Sequence, residues 1–416
     1  MTGSEDSADK DKDVALKLLH TADWHLGRRF PAFAESDQKR LMHARLDVID
    51  TILDTAERHQ VHAVVCAGDL FDDADPGPDW WQGLAARLSA RAGWPDNRPV
   101  FLLPGNHDPL IRTSVYWREH PFRDQLPPWV HIVDRSQYSY ELSPDAVLYA
   151  EPCQSRAGQD RLTDNLPSRA PGDQRIRIGL IHGSTYDADG DNNDFPIPRD
   201  AAERCGLDYL AIGDTHSFRE VPPGARIPTV YPGAPEPTNF GEDDPGNIAL
   251  VFFYRRRRRP RIERMPVARW RWEVQTVTSL EQLRALCART DLQSVVMRLS
   301  LALDVTLEEE VEVERLLTEL AGTDAARGKV GVLQVEKELT LRTDDRSWVA
   351  GMPEILQRVA ERLEETRTAT AGDSGDGRAG AYLPELHDRA LTYLYRLVRE
   401  RGALTGPDRP DDGGET

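Results

Sequence analysis

Five short apolar runs in this 416-residue chain each stop in a tight knot of Asp, His, Asn and Gly. LKLLHTADWH, VVCAGDLFDD, FLLPGNHD, GLIHGS and LAIGDTHS follow one another between residues 16 and 217. A buried strand ending in polar residues, repeated with helical stretches between, dictates an α/β fold. In such folds ligands bind beyond the carboxyl ends of the strands, which is where these polar residues fall. Helices are predicted over 36–59 and 79–91.

A boundary is expected near Val267. Before it, NIALVFFY and PRIERMPV read as a hairpin around five arginines at 255–259. After it the pattern is strand (RWEVQTV), helix (279–289), strand (SVVMRLSL), helix (307–320) and strand (KVGVLQVEKEL). Ser279 and Gln282 have the spacing of a capping box. A helix is predicted over 353–366, then a flexible linker, ATAGDSGDGRAG, and a last helix over 384–401. The expected organisation is therefore a disordered 1–14, a catalytic domain 15–267, a small α/β domain 268–345, a helical region with linker 346–402 and a disordered tail 403–416.

Composition removes several classes. No apolar run approaches the ~20 residues of a membrane helix. MTGSEDSADKDKD has no apolar core of a secretory signal. Cys66, Cys153, Cys205 and Cys287 stand far apart with no CxxC pair. A disulfide scaffold or zinc ribbon is not expected, and a cytoplasmic location is. The net charge of -18 argues against nonspecific nucleic-acid binding by the whole surface. The basic residues are nearly all Arg, a bias spread over the whole chain that marks no site.

The chemistry lies in the knots: Asp23-x-His25, Gly68-Asp69-x-x-Asp72, Gly105-Asn106-His107-Asp108, His182-Gly183 and Gly213-Asp214-x-His216. Carboxylate, imidazole and amide oxygen suit Mn, Fe or Zn, and the glycines let the backbone turn sharply. Two ions ~3.5–4 Å apart need a bridging carboxylate with further donors on either side. Asp23, His25, Asp69, Asn106, His182, Asp214 and His216 supply that set, expected without strain. One Asp-x-His is ordinarily a turn and one Gly-Asp a cap; five knots in this order are neither. His20 falls inside a strand and reads as a hydrogen-bonded core residue.

Together these motifs resemble the calcineurin-like metallophosphoesterases, and HTADWHLG, AGDLFDD, LPGNHD, LIHGS and YLAIGDTHS with YPGAPEPTNFGE resemble the SbcD-type DNA repair exonucleases more closely. The resemblance implies a β-sandwich flanked by helices, with a small capping domain and a C-terminal partner-binding helix. It implies two Mn²⁺ ions, with Mg²⁺ or another divalent cation as substitute. Asp23, His25 and His216 would hold one ion, and Asn106, His182 and Asp214 the other, with Asp69 bridging. His107 would act on the phosphate, oriented by Asp72. The family's last motif is commonly GHxH; here it is GDTH, and the harder oxygen of Asp214 favours Mn or Mg over Zn.

The implied activity is metal-dependent exo- and endonucleolytic hydrolysis of DNA in end processing and repair, beside an SMC-type, SbcC-like ATPase. The alternative is a dimetal phosphoesterase acting on a small molecule or phosphoprotein. A non-catalytic DNA-end scaffold is a third reading, against which the intact donor set stands. The implied partners are DNA, a second copy through the region of Trp80 and Trp81, and the ATPase. Leu386, Ala390, Tyr393, Leu394, Leu397 and Val398 form the apolar stripe expected to dock on that ATPase. Arg28 and Arg29 are expected near the site. The arginines at 255–259 read as either a solvated turn or a contact to the DNA backbone.

Overall fold

The structure is a computed structural model, and it describes residues 13–91, 93–186, 194–256, 259–323, 326–341, 349, 354–371, 390, 393 and 394. The chain divides into two compact units, Met1–Trp272 and Glu273–Thr416. Residues 372–380 of the expected linker, all of the expected C-terminal helix but 390, 393 and 394, residues 1–12, the tail 403–416 and part of the arginine run lie outside the described residues.

In the first unit β1 (Val14–Thr21), β2 (Ala63–Cys66), β3 (Val100–Leu102) and β4 (Val130–Ile132) lie side by side and parallel. The chain then builds a second sheet from β5 (Tyr138–Ser143), β6 (Ala146–Ala150), β7 (Ile176–His182), β8 (Tyr209–Gly213), β9 (Arg219–Glu220) and β10 (Thr229–Tyr231). Its order is β5-β6-β7-β8-β10-β9, with β6, β7, β8 and β10 mutually parallel. The chain returns to the first sheet with β11 (Asn247–Tyr254) and β12 (Arg261–Pro266), which pair antiparallel beyond β1. These last two are the hairpin expected around the arginines.

Side-chain alternation explains why the sheets stack. Leu16 and Leu18 of β1 join Val65, Phe101, Leu148, Leu180 and Ala211 in the core between the sheets. Leu19, on the opposite face, packs with Ile49 and Ile52 of α1 (Glu35–Arg58) and Leu84 of α2 (Pro78–Ser89). A strand buried on both faces has to be apolar, which is why β2 reads as a continuous hydrophobic run and β1 as a largely apolar one. His20 is a polar residue buried inside β1. It is fully buried, and its Nδ1 lies 2.9 Å from the Tyr209 hydroxyl of the facing sheet. Ile181, Ile212 and Tyr231 cover the outer face of the second sheet with Phe195, Ile197 and the short α3 (Ala201–Arg204). The result is a helix-flanked β-sandwich.

The second unit is an α/β layer. β13 (Arg271–Val277) leads into α4 (Leu280–Cys287), β14 (Val295–Val305) and α5 (Leu307–Ala321). A small ribbon of β15 (Gly322–Thr323) and β16 (Ala326–Arg327) precedes β17 (Val332–Leu341), and α6 (Glu354–Ala371) follows. The sheet runs β13-β14-β17, with β14 and β17 parallel. Leu283, Leu286, Val313, Leu316 and Leu320 cover it with Leu299, Leu301 and Leu303 beneath.

The two helix starts differ from expectation in an informative way. Ser279 does accept from the Gln282 amide, but the Gln282 side chain reaches the amide of Thr278 at 2.8 Å, one residue short of a reciprocal box. The complete capping box is Thr306 with Glu309, at the head of α5. No helix among the described residues is long and apolar enough to cross a membrane. Thr306→Ala should cost about 1 kcal/mol. Amide hydrogen exchange in α5 should rise accordingly, while Thr306→Ser should leave it near the parent rate.

Candidate dimetal site

All five knots meet at one end of the sandwich, where the carboxyl ends of β1, β2 and β3 in one sheet face those of β7 and β8 in the other. The first two loops run as a pair beyond their strands. The amides of Asp23, His25 and Leu26 donate to the carbonyls of Gly68, Asp69 and Leu70 at 3.0, 2.9 and 2.8 Å. Crossing between sheets is equally direct. The Asp214 amide donates to the Asp23 carboxylate at 3.1 Å, and His182 Nδ1 lies 2.8 Å from the Ala67 carbonyl oxygen.

Asp69 stands in the middle. Its Oδ1 accepts the His107 amide at 2.9 Å. Its Oδ2 lies 3.7 Å from His25 Nε2 and 3.5 Å from His182 Nε2. On one side His25 Nε2 and His216 Nε2 approach to 3.0 Å, with Asp23 beside them. On the other, His182 Nε2 lies 3.0 Å from Asn106 Oδ1 and 3.8 Å from Asp214 Oδ1. Asp214 is on the rim, and its second oxygen accepts the Ser184 hydroxyl. Asp23, His25, Asp69 and His182 are buried, whereas Asn106, His107, Asp214 and His216 are half-buried. The structure thus brings all nine candidate residues into one cluster.

Chemically the donor set is rich in acceptors. His216 gives its Nδ1–H to Glu242 Oε1 at 2.9 Å, which leaves the Nε2 lone pair facing His25. His182 Nδ1 is likewise committed to Ala67, so Nε2 faces oxygens of Asn106 and Asp69. Protons or cations must sit among these atoms. Burial, with the charges of Asp69 and Asp214 adding to it, pushes the Asp23 carboxyl up to about 7. Burial alone would lower His182, but Asp69, Asp23 and Asp214 outweigh it and raise it to about 9. His25 is pushed down to about 4, chiefly by burial. A site that forces one carboxylate towards neutrality and one imidazole towards a cation fits divalent metal, and the residues present suit it.

The backbone is strained where sequence reasoning expected ease. Asp23, His25, Asp69 and Asp214 have φ of 55°, 44°, 52° and 116°, four of the eight non-glycine residues in that region among those described. The candidate ligands themselves turn the chain. The glycines act differently: a Cβ at Gly105 would stand 2.2 Å from Asp69 Oδ1, and one at Gly68 2.2 Å from His182 Nδ1. They make room for donors.

Asp72 also departs from its expected part. Its backbone carbonyl, not its carboxylate, lies 3.2 Å from His107 Nδ1. The carboxylate instead lies 3.1 Å from His25 Nδ1 and 3.3 Å from Arg28, and is held at about 2 against the opposing effect of burial by His25 and Arg28. Arg28 is therefore at the site, through Asp72.

Two residues escaped sequence reasoning. Glu242 closes the NFGE motif and holds His216, together with Thr238. Asp108 ends GNHD and is fully buried. It accepts the Gly105 amide at 2.8 Å, the Phe71 amide at 2.9 Å and the Tyr116 hydroxyl at 2.6 Å, tying the Asn106 loop to the Asp69 loop. An acid next to His107 was the available signal, and three buried donors were not visible in it.

Residues 16–218 match the model of the calcineurin-like phosphoesterase family. Over those residues the chain belongs to that family. An uncharacterized metallophosphoesterase of Bacillus subtilis, YhaO, is 26% identical over 249 residues, 57% of each chain. The SbcD polypeptide of the SbcCD nuclease is 33% identical over 100 residues in B. subtilis, 24% of each chain. Its counterpart in Escherichia coli K12 is 37% identical over 93 residues, 22% of this chain and 21% of that one. The matches thus span little more than half of the first relative and under a quarter of the others. A dimetal phosphatase structure from Danio rerio superposes with a TM-score of 0.38 and 13% identity, over 62% of this chain and 99% of that one.

Replacing Asp108 by Ala would leave two amides and a hydroxyl unpaired in the interior, each costing about 1–3 kcal/mol. Asp108→Ala should therefore unfold at markedly lower denaturant than the parent. Tyr116→Phe, which removes one of the three donors, should lose much less.

Proposed function

We propose that this phosphoesterase hydrolyses DNA phosphodiesters with two divalent cations, in the manner of a DNA-end nuclease. The position of Asp69 carries the reading: one carboxylate oxygen within 4 Å of imidazoles belonging to two donor sets. Asp23, His25 and His216 form the first set. His182, Asn106 and Asp214 form the second, and Asp69 serves both. Cations held there supply an activated water and neutralise phosphate charge.

His107 has a separate part. Its ring is half-exposed and edge-on to His25, with centroids 4.9 Å apart. Its amide is spent on Asp69 and its Nδ1 faces the Asp72 carbonyl, so Nε2 is free to hold a proton for the leaving oxygen. Arg28 and the exposed Arg29, three and four residues past His25, put positive charge near an incoming strand. DNA as substrate is supported by the stretches shared with the SbcCD nucleases. On the same footing the chain would work as a homodimer with an SMC-type ATPase held through residues 381–416. Loss of co-purification on ending the chain at residue 380 tests that part.

The substrate test pairs linear duplex and single-stranded DNA with bis-p-nitrophenyl phosphate, all in Mn²⁺. Cleavage of the phosphodiester with DNA left intact would sink the nuclease reading and favour a small substrate. Asp69→Ala should lose both Mn²⁺ binding and turnover. His107→Ala should keep both ions and lose about 10²–10⁴-fold in rate. Loss of Mn²⁺ from His107→Ala would instead make it a ligand.

A further inference from the structure

Arg45 is the one cation on the buried face of α1, among Leu41, Ala44, Leu46, Val48 and Ile49. It is 1% exposed. An arginine in such a place ordinarily faces a carboxylate, because burying a charge without a partner is costly. Arg45 has the buried carboxylate of Glu236 within electrostatic reach, but it spends its hydrogen bonds elsewhere. Nη1 donates to the carbonyl of Trp24 at 3.0 Å, and Nη2 to the carbonyl of Pro237 at 2.7 Å. Its Nε has no hydrogen-bond partner, and the guanidinium carbon sits 5.6 Å from the centre of the Phe30 ring.

Those two carbonyls are not arbitrary. Trp24 stands between Asp23 and His25, both in left-handed backbone. Pro237 precedes Thr238, which donates its amide to Glu242 at 2.8 Å and places its hydroxyl 2.8 Å from His216 Nδ1. One planar fork thus ties the loop that carries His25 to the loop that steers His216. These are the two imidazoles whose Nε2 atoms approach to 3.0 Å. A lysine has a single nitrogen on a flexible stem and cannot span both carbonyls in a fixed plane.

We propose that Arg45 is a positioning residue that sets the approach of His25 to His216, and through it the affinity of the Asp23–His25–His216 position for its cation. Arg45 touches neither cation nor substrate. The inference rests on the dimetal reading above. It extends that reading from the donors to a helix residue that no motif contains.

The experiment is Mn²⁺ titration of the full chain by calorimetry and electron paramagnetic resonance, for the parent, Arg45→Lys and Arg45→Met. The expected result is two ions in the parent. In Arg45→Met one ion is weakened about 10–100-fold, the range seen when a ligand's supporting partner is removed. The other ion is little changed. Arg45→Lys should fall between. Turnover of bis-p-nitrophenyl phosphate by both variants should recover as Mn²⁺ is raised, a rescue that general misfolding does not give. Parent-like affinity in either folded variant overturns the proposal, and so does equal weakening of both ions. Should Arg45→Met not fold, the lysine variant decides by the same criteria. A parent chain that binds no Mn²⁺ would sink the dimetal reading itself, an outcome separate from either failure.

Discussion

The fold is organised around a repulsion. Asp23, Asp69 and Asp214 are brought together at the ends of strands from two different sheets, with Asp23 and Asp69 buried. Nothing in the sandwich core requires this, and burial of like charges opposes it. The surroundings hold it in place: paired loop backbones, an amide of one sheet on a carboxylate of the other, and glycines whose missing Cβ atoms leave room for donors. Half the left-handed non-glycine residues described lie among these candidate ligands. Strain of that kind persists only where the surroundings over-determine the backbone.

This division of labour explains what could be read from the sequence. The strands were legible because β1, β2, β3, β7 and β8 are largely apolar runs that end in chemistry. The candidate ligands were legible because each ends or closely follows such a strand. β5 and β6 were not legible. β5 is the edge strand of the second sheet, where YSYELS mixes exposed and buried positions and carries no polar stop, and β6 lies beside it. Thr306 is hidden as a cap because its acidic partner is one of three consecutive glutamates, Glu308, Glu309 and Glu310, which read as a charged helix face.

Interactions that cross between distant segments were the least visible. Glu242 lies 26 residues from His216, and Asp108 lies 37 from Phe71. A carboxylate after a glycine or a histidine has many ordinary uses, and only the fold selects the one in force. Asp72 shows the converse. Its nearness to the site was legible from its spacing after Asp69, but the atom that meets His107 is a backbone oxygen, which no residue type announces.

Arg45 carries the same logic one layer further out. In the sequence it is one Arg in a chain where Arg is nearly the whole basic content, on a helix whose other buried residues are largely apolar. Composition therefore hides it. What singles it out is a geometric conjunction: both ends of a rigid guanidinium spent on carbonyls of two loops, one that carries His25 and one that supports His216, at a fully buried place. A metal position built from donors on different sheets has no single element to hold its spacing. A fork that spans two loops supplies that spacing from the helix layer, and binds the affinity of the site to the packing of α1.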